Sequence, residues 1–206
     1  MQKGIFIVFD GMDGTGKSTN LYKSAEYIFE KTKQYTHLLL TREPTYSPYG
    51  QELRKMLREE KDPLKNAKMC FELFIKDRKH HVDNMIAPAL KSGQIVLMDR
   101  YKYSNIAFQQ TQGIDKKELI EANAKFIVPD LIIILDLDPE ASLARIKNRS
   151  ETEKFENLEF MKKLRHNFLN LKKDLPNENI VIIDASKSRE EVFNEIKKEL
   201  DKVLPY

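Results

Sequence analysis

Five short apolar runs recur along the chain, separated by longer stretches in which apolar residues have helical spacing. The runs are Ile5 to Phe9, HLLLTREP at 37–44, residues 94–98, DLIIILDLDP at 130–139 and NIVIIDAS at 179–186. They are apolar at nearly every position instead of every second one, which is typical of strands buried on both faces. The pattern therefore predicts the strands of a parallel sheet.

The stretches between these runs are predicted to be helices, because their apolar residues recur every three or four positions. They cover 19–33, 50–60, 64–91, 103–111, 115–127, 141–149, 158–171 and 189–203. Alternating strands and helices predict an α/β fold of three layers, with helices on both faces of a five-stranded parallel sheet. We find no repeat and no linker, so we expect residues 1–206 to form one domain. The polar segment at 149–156 is predicted to be a short lid.

Length and composition favour a single domain that does not enter a membrane. The 206 residues suffice for one well-buried α/β domain, and 41% of them are apolar. No apolar run approaches the roughly 20 residues needed to cross a bilayer. The first ten residues also lack the apolar length and the cleavage site of a secretory signal. We therefore expect a cytoplasmic protein.

Charge and metal-binding residue types exclude several other classes. The chain has 35 Lys and Arg against 32 Asp and Glu, a net charge of +3, which does not indicate a general nucleic-acid-binding surface. Its one cysteine, Cys70, excludes an internal disulfide and fits a small core residue better than a reactive thiol. The four histidines lack metal-ligand spacing, which favours packing or surface roles.

The segment IFIVFDGMDGTGKST at 5–19 carries the strongest chemical signal. A strand ends at Asp10, three glycines leave the backbone bare, and a helix is predicted to begin at about Ser18. This spacing fits a P-loop, in which backbone N–H groups surround phosphate oxygens and a lysine reaches the β- and γ-phosphates. The residues expected to hold a nucleoside triphosphate are Gly11, Met12, Asp13, Gly14, Thr15, Gly16, Lys17, Ser18 and Thr19. The alternative is a tight turn that happens to contain a lysine.

Charged or polar groups follow four of the predicted strands, at 10–18, 41–44, 99–101 and 184–186. Ligands of open parallel sheets gather beyond the carboxyl ends of the strands, so we expect these groups to share one cleft. Ser18 and Asp99 have the oxygen ligands that Mg²⁺ prefers. Arg78 and Arg100 could each grip two oxygens of an acceptor phosphate, although a single arginine is more often a surface or salt-bridge residue.

Arg145 and Arg149 lie four residues apart on one predicted helical face that leads into the lid. We count Arg145 among the ATP-binding residues. Asp136 and Asp138 also follow a strand, but the helix predicted to start after Pro139 makes capping as good an explanation as function. We therefore leave both aspartates out of the site.

The sequence resembles the thymidylate (dTMP) kinase family from end to end. The segments that carry the resemblance are FDGMDGTGKST at 9–19, TREP at 41–44, LFIKDRKHHVDNMIAPAL at 73–90, VLMDRYKYSNIAFQ at 96–109, PDLIIILDLDPEASLARI at 129–146 and VIIDAS at 181–186. A P-loop alone marks many unrelated proteins, whereas this combination in this order is specific. The resemblance implies a P-loop NTPase-type fold, a homodimer, and the use of ATP and Mg²⁺ to phosphorylate dTMP.

The resemblance also implies roles for residues of the acceptor site. Phe74 matches the aromatic residue that stacks on thymine, and Arg78 and Arg100 match two acceptor-phosphate arginines. Phe108 matches the residue that leaves no room for a ribose hydroxyl. The remaining acceptor residues implied in this way are Asp13, Pro44, Tyr49, Ser104 and Asn105. Asp13 is expected to meet the acceptor 3′ hydroxyl or the metal, and Tyr49 fits loop packing equally well.

In this family a catalytic arginine comes either from the P-loop or from the lid. Here the loop reads Asp13, Gly14, Thr15, so the lid is expected to supply it. Arg149 is the candidate, and Lys154 is a weaker one because an ammonium group cannot make a forked contact. The catalytic residues predicted for the family reaction are Asp13, Lys17, Arg100 and Arg149.

Two rival functions stay open on the sequence. One is a kinase for another small acceptor, such as a deoxynucleoside or a different monophosphate. Two acceptor-phosphate arginines would have no purpose with an unphosphorylated nucleoside. The other is a P-loop module that hydrolyses ATP slowly to switch a partner, and its ATP turnover would not respond to any nucleoside monophosphate.

Overall fold

The predicted runs form five parallel strands of one sheet in the computed structural model, which describes residues 3–32, 37–60, 62, 64–146 and 157–205. The predicted lid, with Arg149 and Lys154, lies outside the described residues. The strands are β1 (Ile5–Gly11), β2 (Leu38–Arg42), β3 (Ile95–Asp99), β4 (Leu131–Asp136) and β5 (Ile180–Asp184). Their order across the sheet is β2-β3-β1-β4-β5. The predicted fold class is confirmed.

Each central strand sends alternate side chains to opposite faces of the sheet. In β1, Ile5 and Ile7 join one buried cluster, whereas Phe6 and Val8 join another. Both clusters are closed by helices, so the two faces of the sheet are covered. This double burial explains why the strands are apolar at every position instead of alternating.

Helices fill the intervals that their spacing predicted, with ends shifted by a few residues. They are α1 (Lys17–Lys31), α2 (Pro48–Glu59), α3 (Ala67–His81), α4 (Ala87–Lys91), α5 (Lys102–Thr111), α6 (Lys116–Asn123), α7 (Pro139–Ile146), α8 (Leu158–Asp174) and α9 (Arg189–Val203). Helices α1 and α9 supply the apolar residues of one face, including Leu21 and Ile196. Helices α3, α5 and α8 supply those of the other, including Phe71 and Phe168.

The helical stretch predicted over 64–91 is not uniform. A π-helical turn, Val82–Ile86, separates α3 from α4, and the N–H of Ala87 bonds to the carbonyl of Val82, five residues back. Pro88 follows directly and has no N–H to continue the usual ladder of hydrogen bonds. The helical path nevertheless continues to Lys91 and ends before Gly93, as predicted.

Among the residues that the structure describes, no helix has both the length and the apolar character needed to cross a membrane.

Candidate active site

Polar contacts join the carboxyl ends of the strands at a single edge of the sheet. Ser18, after β1, donates a hydrogen bond to the carboxylate of Asp99 at the end of β3, at 2.5 Å. The N–H of Glu43, after β2, donates to the carbonyl of Asp99 at 3.2 Å. Arg145 donates to the carbonyls of Gly14, at 3.4 Å, and of Ala185, at 3.1 Å. The four predicted strand-end groups are therefore brought together.

The loop between β1 and α1 has the conformation expected of a phosphate-binding loop. Gly14 and Gly16 have φ angles of 77° and 91°, which favour glycine. A Cβ on Gly14 would also lie 2.9 Å from the carbonyl oxygen of Ser142. Helix α1 begins at Lys17, so its first N–H groups point toward the loop and favour a bound anion.

Lys17 is buried within this loop. Its Nζ donates to the carbonyl of Met12 at 2.8 Å and lies 3.9 Å from the carboxylate of Asp13. Burial, and secondarily the positive charge of Arg100, lower the pKa of Lys17 to about 8. A phosphate bound in the loop would raise the pKa of Lys17 again, because its negative charge favours the ammonium form.

Asp10 joins the P-loop to the start of α5. Its fully buried carboxylate accepts hydrogen bonds from the N–H of Tyr101 at 3.1 Å and from the N–H and hydroxyl of Ser104 at 2.9 and 2.5 Å. Burial raises the pKa of Asp10 above its usual value. Asp10 was expected in the strand-end group at 10–18, but its contacts with α5 were not predicted.

Arg100 lies where the P-loop and α5 meet. Its Nη2 contacts the Asp13 carboxylate at 2.5 Å, and its Nη1 donates to the hydroxyl of Ser104 at 2.9 Å. The guanidinium carbon is 5.5 Å from the ring centroid of Phe108. Arg100 also has a φ of 69°, a conformation that non-glycine residues rarely adopt and that tends to occur at functional sites. These contacts hold the guanidinium at the edge of the loop.

Arg78 has a different environment. It is fully buried on α3, and its Nε and Nη2 donate to one carboxylate oxygen of Glu43 at 3.0 and 2.8 Å. Its Nη1 donates to Asn123 at 2.6 Å and to Asn105 at 3.4 Å. The predicted phosphate contact stays a prediction, and it would require the guanidinium to open or share this ion pair.

The other predicted acceptor residues lie on α2, α3 and α5 and in the segment after β2. Asn105 is buried and donates to Gln109 at 2.6 Å. Phe108 is buried and packs edge-on against Phe168, with ring centroids 6.2 Å apart. Phe74 is half-buried against the small cluster of Leu53, Cys70 and Leu73. Pro44 is half-buried, and Tyr49 is 39% exposed at the start of α2.

The Ser18 and Asp99 pair has the donor set that a nucleotide-bound Mg²⁺ requires. A hydroxyl and a carboxylate oxygen lie 2.5 Å apart beside the P-loop, and Ser18 is exposed. Mg²⁺ commonly takes one or two protein oxygens and completes its shell with phosphate oxygens and water. The residues present therefore fit this ion.

A model of the thymidylate kinase family matches residues 9–196, which includes every strand-end group described above. The chain belongs to the thymidylate kinase family.

Individual members of the family are similar to this chain over nearly its whole length. A probable thymidylate kinase of Pyrococcus horikoshii is 39% identical over 199 residues, covering 94% of each chain. A thymidylate kinase of Caldicellulosiruptor saccharolyticus is 37% identical over 210 residues and 98% of each chain. The fold is also similar to the crystal structure of thymidylate kinase from Ehrlichia chaffeensis, with a TM-score of 0.74 and 28% identity over 96% of this chain and 99% of that one.

Two further polar residues belong to this thymidylate kinase site by position. Arg42 ends β2 opposite Asp99 in the sheet register, is exposed, and places a further guanidinium at the same edge. His81 is buried, with Nε2 2.8 Å from the hydroxyl of Thr41 and Nδ1 3.3 Å from the carboxylate of Glu43. Arg42 was visible in the TREP segment, whereas the contacts of His81 depend on the tertiary fold.

Asp136 and Asp138, which were not predicted to belong to the site, have structural contacts. Asp138 accepts a hydrogen bond from the N–H of Glu140 at 2.9 Å, in the first turn of α7. Asp136 accepts two hydrogen bonds from Arg165, both at 2.8 Å. Capping and an ion pair therefore account for the two aspartates.

Proposed function

We propose that this site transfers the γ-phosphoryl group of ATP to dTMP, giving ADP and dTDP. The transfer forms a bond between the γ-phosphorus and an oxygen of the dTMP phosphate, and breaks the bond to the oxygen that bridges the β- and γ-phosphates. The observation that carries the proposal is the meeting of the P-loop and Arg100 at Asp13. One anion can be held by the loop amides while Arg100 holds a second in front of it.

The donor side consists of the P-loop and the start of α1. The loop amides and Lys17 hold the β- and γ-phosphates, and Arg145, which already bridges Gly14 and Ala185, borders the nucleotide. Ser18 and Asp99 would hold Mg²⁺, which neutralises charge on the phosphates during transfer. Phosphoryl transfer needs mainly positioning and positive charge, and this side supplies both.

On the acceptor side, Arg100 is the guanidinium that the geometry supports best for the dTMP phosphate. Its contacts with Asp13 and Ser104 leave it at the edge of the P-loop, with partly exposed side chains on both members of the ion pair. We assign Arg78 to a supporting role instead, because its donors are directed to buried carboxylate and amide oxygens. Through Asn105, Arg78 helps to orient a side chain expected to bind the base.

Arg149 is proposed to enter the site from the segment at 149–156 and to stabilise the charge of the transition state. Sequence position supports this, because the P-loop carries Asp13, Gly14 and Thr15 and no arginine. Added arginines raise the rates of other phosphoryl-transfer proteins by about 10³ to 10⁵. Lys154 would supply only a point charge.

We further propose that the chain acts as one domain in a cytoplasmic homodimer. The family to which the chain belongs supports both the dimer and the location. Sedimentation equilibrium of the purified protein tests the dimer directly.

One assay distinguishes a thymidylate kinase from the alternative function, a P-loop module that hydrolyses ATP slowly to switch a partner. ADP formation from ATP and Mg²⁺ is measured with and without dTMP, using a coupled optical readout. A thymidylate kinase gives turnover that depends on dTMP, with one dTDP formed for each ADP. ADP formation that continues at the same rate without dTMP would contradict the proposal.

A further inference from the structure

We propose that Asp77 is a positioning residue for the acceptor nucleotide, which it serves by fixing the segment 43–47 between β2 and α2. This inference rests on the proposed function, because it assigns that segment to the dTMP side of the site. Asp77 lies on α3 and does not itself contact the P-loop groups described above. Its carboxylate acts through Thr45 and Ser47.

The contacts of Asp77 are directed almost entirely at this segment. The side chain is fully buried, and its oxygens accept hydrogen bonds from the N–H of Thr45 at 2.8 Å, the hydroxyl of Thr45 at 2.5 Å and the hydroxyl of Ser47 at 2.6 Å. All three donors are neutral groups within three consecutive residues. A buried carboxylate is costly unless such donors offset its lost hydration. The arrangement therefore fixes the path of the loop rather than merely adding an ion pair.

The same helix also holds the beginning of the segment. Arg78, next to Asp77, donates twice to Glu43, and His81 approaches the other oxygen of that carboxylate at 3.3 Å. One face of α3 thus binds Glu43, Thr45 and Ser47 in turn.

Helix α2 closes the segment from the other side. Ser47 caps α2 by accepting a hydrogen bond from the N–H of Gly50 at 3.1 Å. A Cβ on Gly50 would collide with the carbonyl of Thr45 and lie 2.9 Å from an oxygen of Asp77. The loop is therefore packed tightly between α2 and α3, and Asp77 is at the centre of the contact.

This segment is connected to several groups that we assign to the acceptor side. It carries Pro44, and the N–H of Glu43 bonds to the carbonyl of Asp99, next to Arg100. Glu43 also connects through Arg78 to Asn105. A displaced segment would disturb the groups expected to bind dTMP, whereas Lys17 and the loop amides would keep their positions. Loss of the Asp77 contacts should therefore affect dTMP binding selectively.

The test compares Asp77→Asn and Thr45→Val with Thr32→Val. Thr32 is buried at the end of α1, and its hydroxyl donates to the carbonyl of Ile28 at 2.9 Å, so its replacement removes a similar hydrogen bond elsewhere. We expect Asp77→Asn and Thr45→Val to raise KM for dTMP about tenfold, since hydrogen bonds to charged groups are among the stronger ones. KM for ATP should stay within about twofold for all three variants.

A double variant, Asp77→Asn with Thr45→Val, shows whether the two effects on KM for dTMP are additive. A general loss of stability would not produce non-additive effects on KM. If Asp77 acts through Thr45, the double variant should raise KM for dTMP no more than Asp77→Asn alone, because interacting sites are not additive. Thermal melts of each variant accompany the kinetics. If Asp77→Asn does not fold, Thr45→Val and Ser47→Ala provide the test, because each should raise KM for dTMP and leave KM for ATP nearly unchanged.

The inference is overturned if folded variants leave KM for dTMP unchanged, as Thr32→Val is expected to do, or if KM for ATP rises by the same factor as KM for dTMP. Failure of the proposed function gives a different result, because the unmodified protein would then show no turnover that depends on dTMP. Calorimetric titration of dTMP in the absence of ATP provides an independent measure. There, too, weaker binding in Thr45→Val than in Thr32→Val supports the inference, and equal binding contradicts it.

Discussion

Asp13 and Arg100 contact each other at 2.5 Å, carboxylate oxygen to guanidinium nitrogen, at the point where the phosphate loop meets the start of α5. The two residues are 87 positions apart in the chain, and both side chains are partly exposed. The ion pair holds Arg100 beside the loop in advance of any acceptor. An acceptor phosphate can therefore engage a guanidinium that is already positioned, which lowers the entropic cost of binding.

Replacement of Arg100 by lysine should weaken the use of dTMP strongly. Lysine keeps the positive charge but loses the planar fork that binds Asp13 and Ser104 together, so we expect kcat/KM for dTMP to fall by about a hundredfold. Steady-state rates with dTMP varied at saturating ATP measure the effect. Arg189→Lys, at an exposed position at the start of α9, is the matched control and should change little. Equal kinetics of the two variants would remove Arg100 from the acceptor site.

ATP binding should take up a proton at high pH and not at low pH. In the free protein the pKa of Lys17 is about 8, because burial and then Arg100 disfavour its charged form. Well below that value Lys17 is already protonated, whereas above it the lysine is largely neutral and must gain a proton to meet a phosphate. Uptake should therefore rise toward about one proton per ATP as the pH rises to about 9.

Calorimetric titration in two buffers with different ionisation heats measures this uptake. Lys17→Arg is the control, because arginine stays protonated over this range and should abolish the pH-dependent uptake. Absence of uptake by the unmodified protein at high pH would contradict the assignment of Lys17.

Much of the donor site could be predicted from the sequence because its residues are neighbours in the chain. Gly11 to Ser18 form one strand, loop and helix start, and local spacing specifies them. The acceptor side could not be predicted in the same way. Arg78 was expected at a phosphate, yet it pairs with Glu43, 35 positions earlier, and this pairing depends on how α3 packs against the loop after β2.

The boundary between α3 and α4 is a second feature that the sequence pattern did not predict. Apolar spacing continues smoothly from 64 to 91, so it predicts one helix. Pro88 has no N–H to continue the α-helical ladder, and the hydrogen-bond pattern changes just before it, in the π-helical turn Val82–Ile86. The contacts of Asp10 with Ser104, 94 positions away, also depend on parallel strand pairing and carried no local signal beyond the carboxylate itself.

Replacement of Phe108 by alanine should relax discrimination between deoxyribose and ribose acceptors. The ring is buried between Arg100 and Phe168, so its removal opens space beside the predicted acceptor pocket. The ratio of kcat/KM for dTMP to that for the ribose analogue measures the effect. Phe168→Ala is the control, since it creates a cavity in the same cluster of rings, and loss of a buried ring costs about 3 to 5 kcal/mol. Unaltered selectivity in Phe108→Ala, or the same change in both variants, would move sugar recognition to another residue.

Replacement of Arg149 by alanine should lower kcat far more than it raises KM for dTMP. A lid arginine is expected to act in the transition state, and added arginines contribute about 10³ to 10⁵ in related chemistry. Lys154→Ala is the matched comparison within the same polar segment and should have the smaller effect, since its ammonium makes no forked contact. An unchanged kcat in Arg149→Ala would exclude this residue from the mechanism.

The most direct test of the central claim is a panel of acceptors supplied to the purified protein with ATP and Mg²⁺. The panel contains dTMP, dUMP, dCMP and the ribose form of TMP, and formation of each diphosphate is followed by chromatography. We expect dTDP to form much faster than the other three products. Equal rates on all four acceptors would contradict both the base and the sugar assignments.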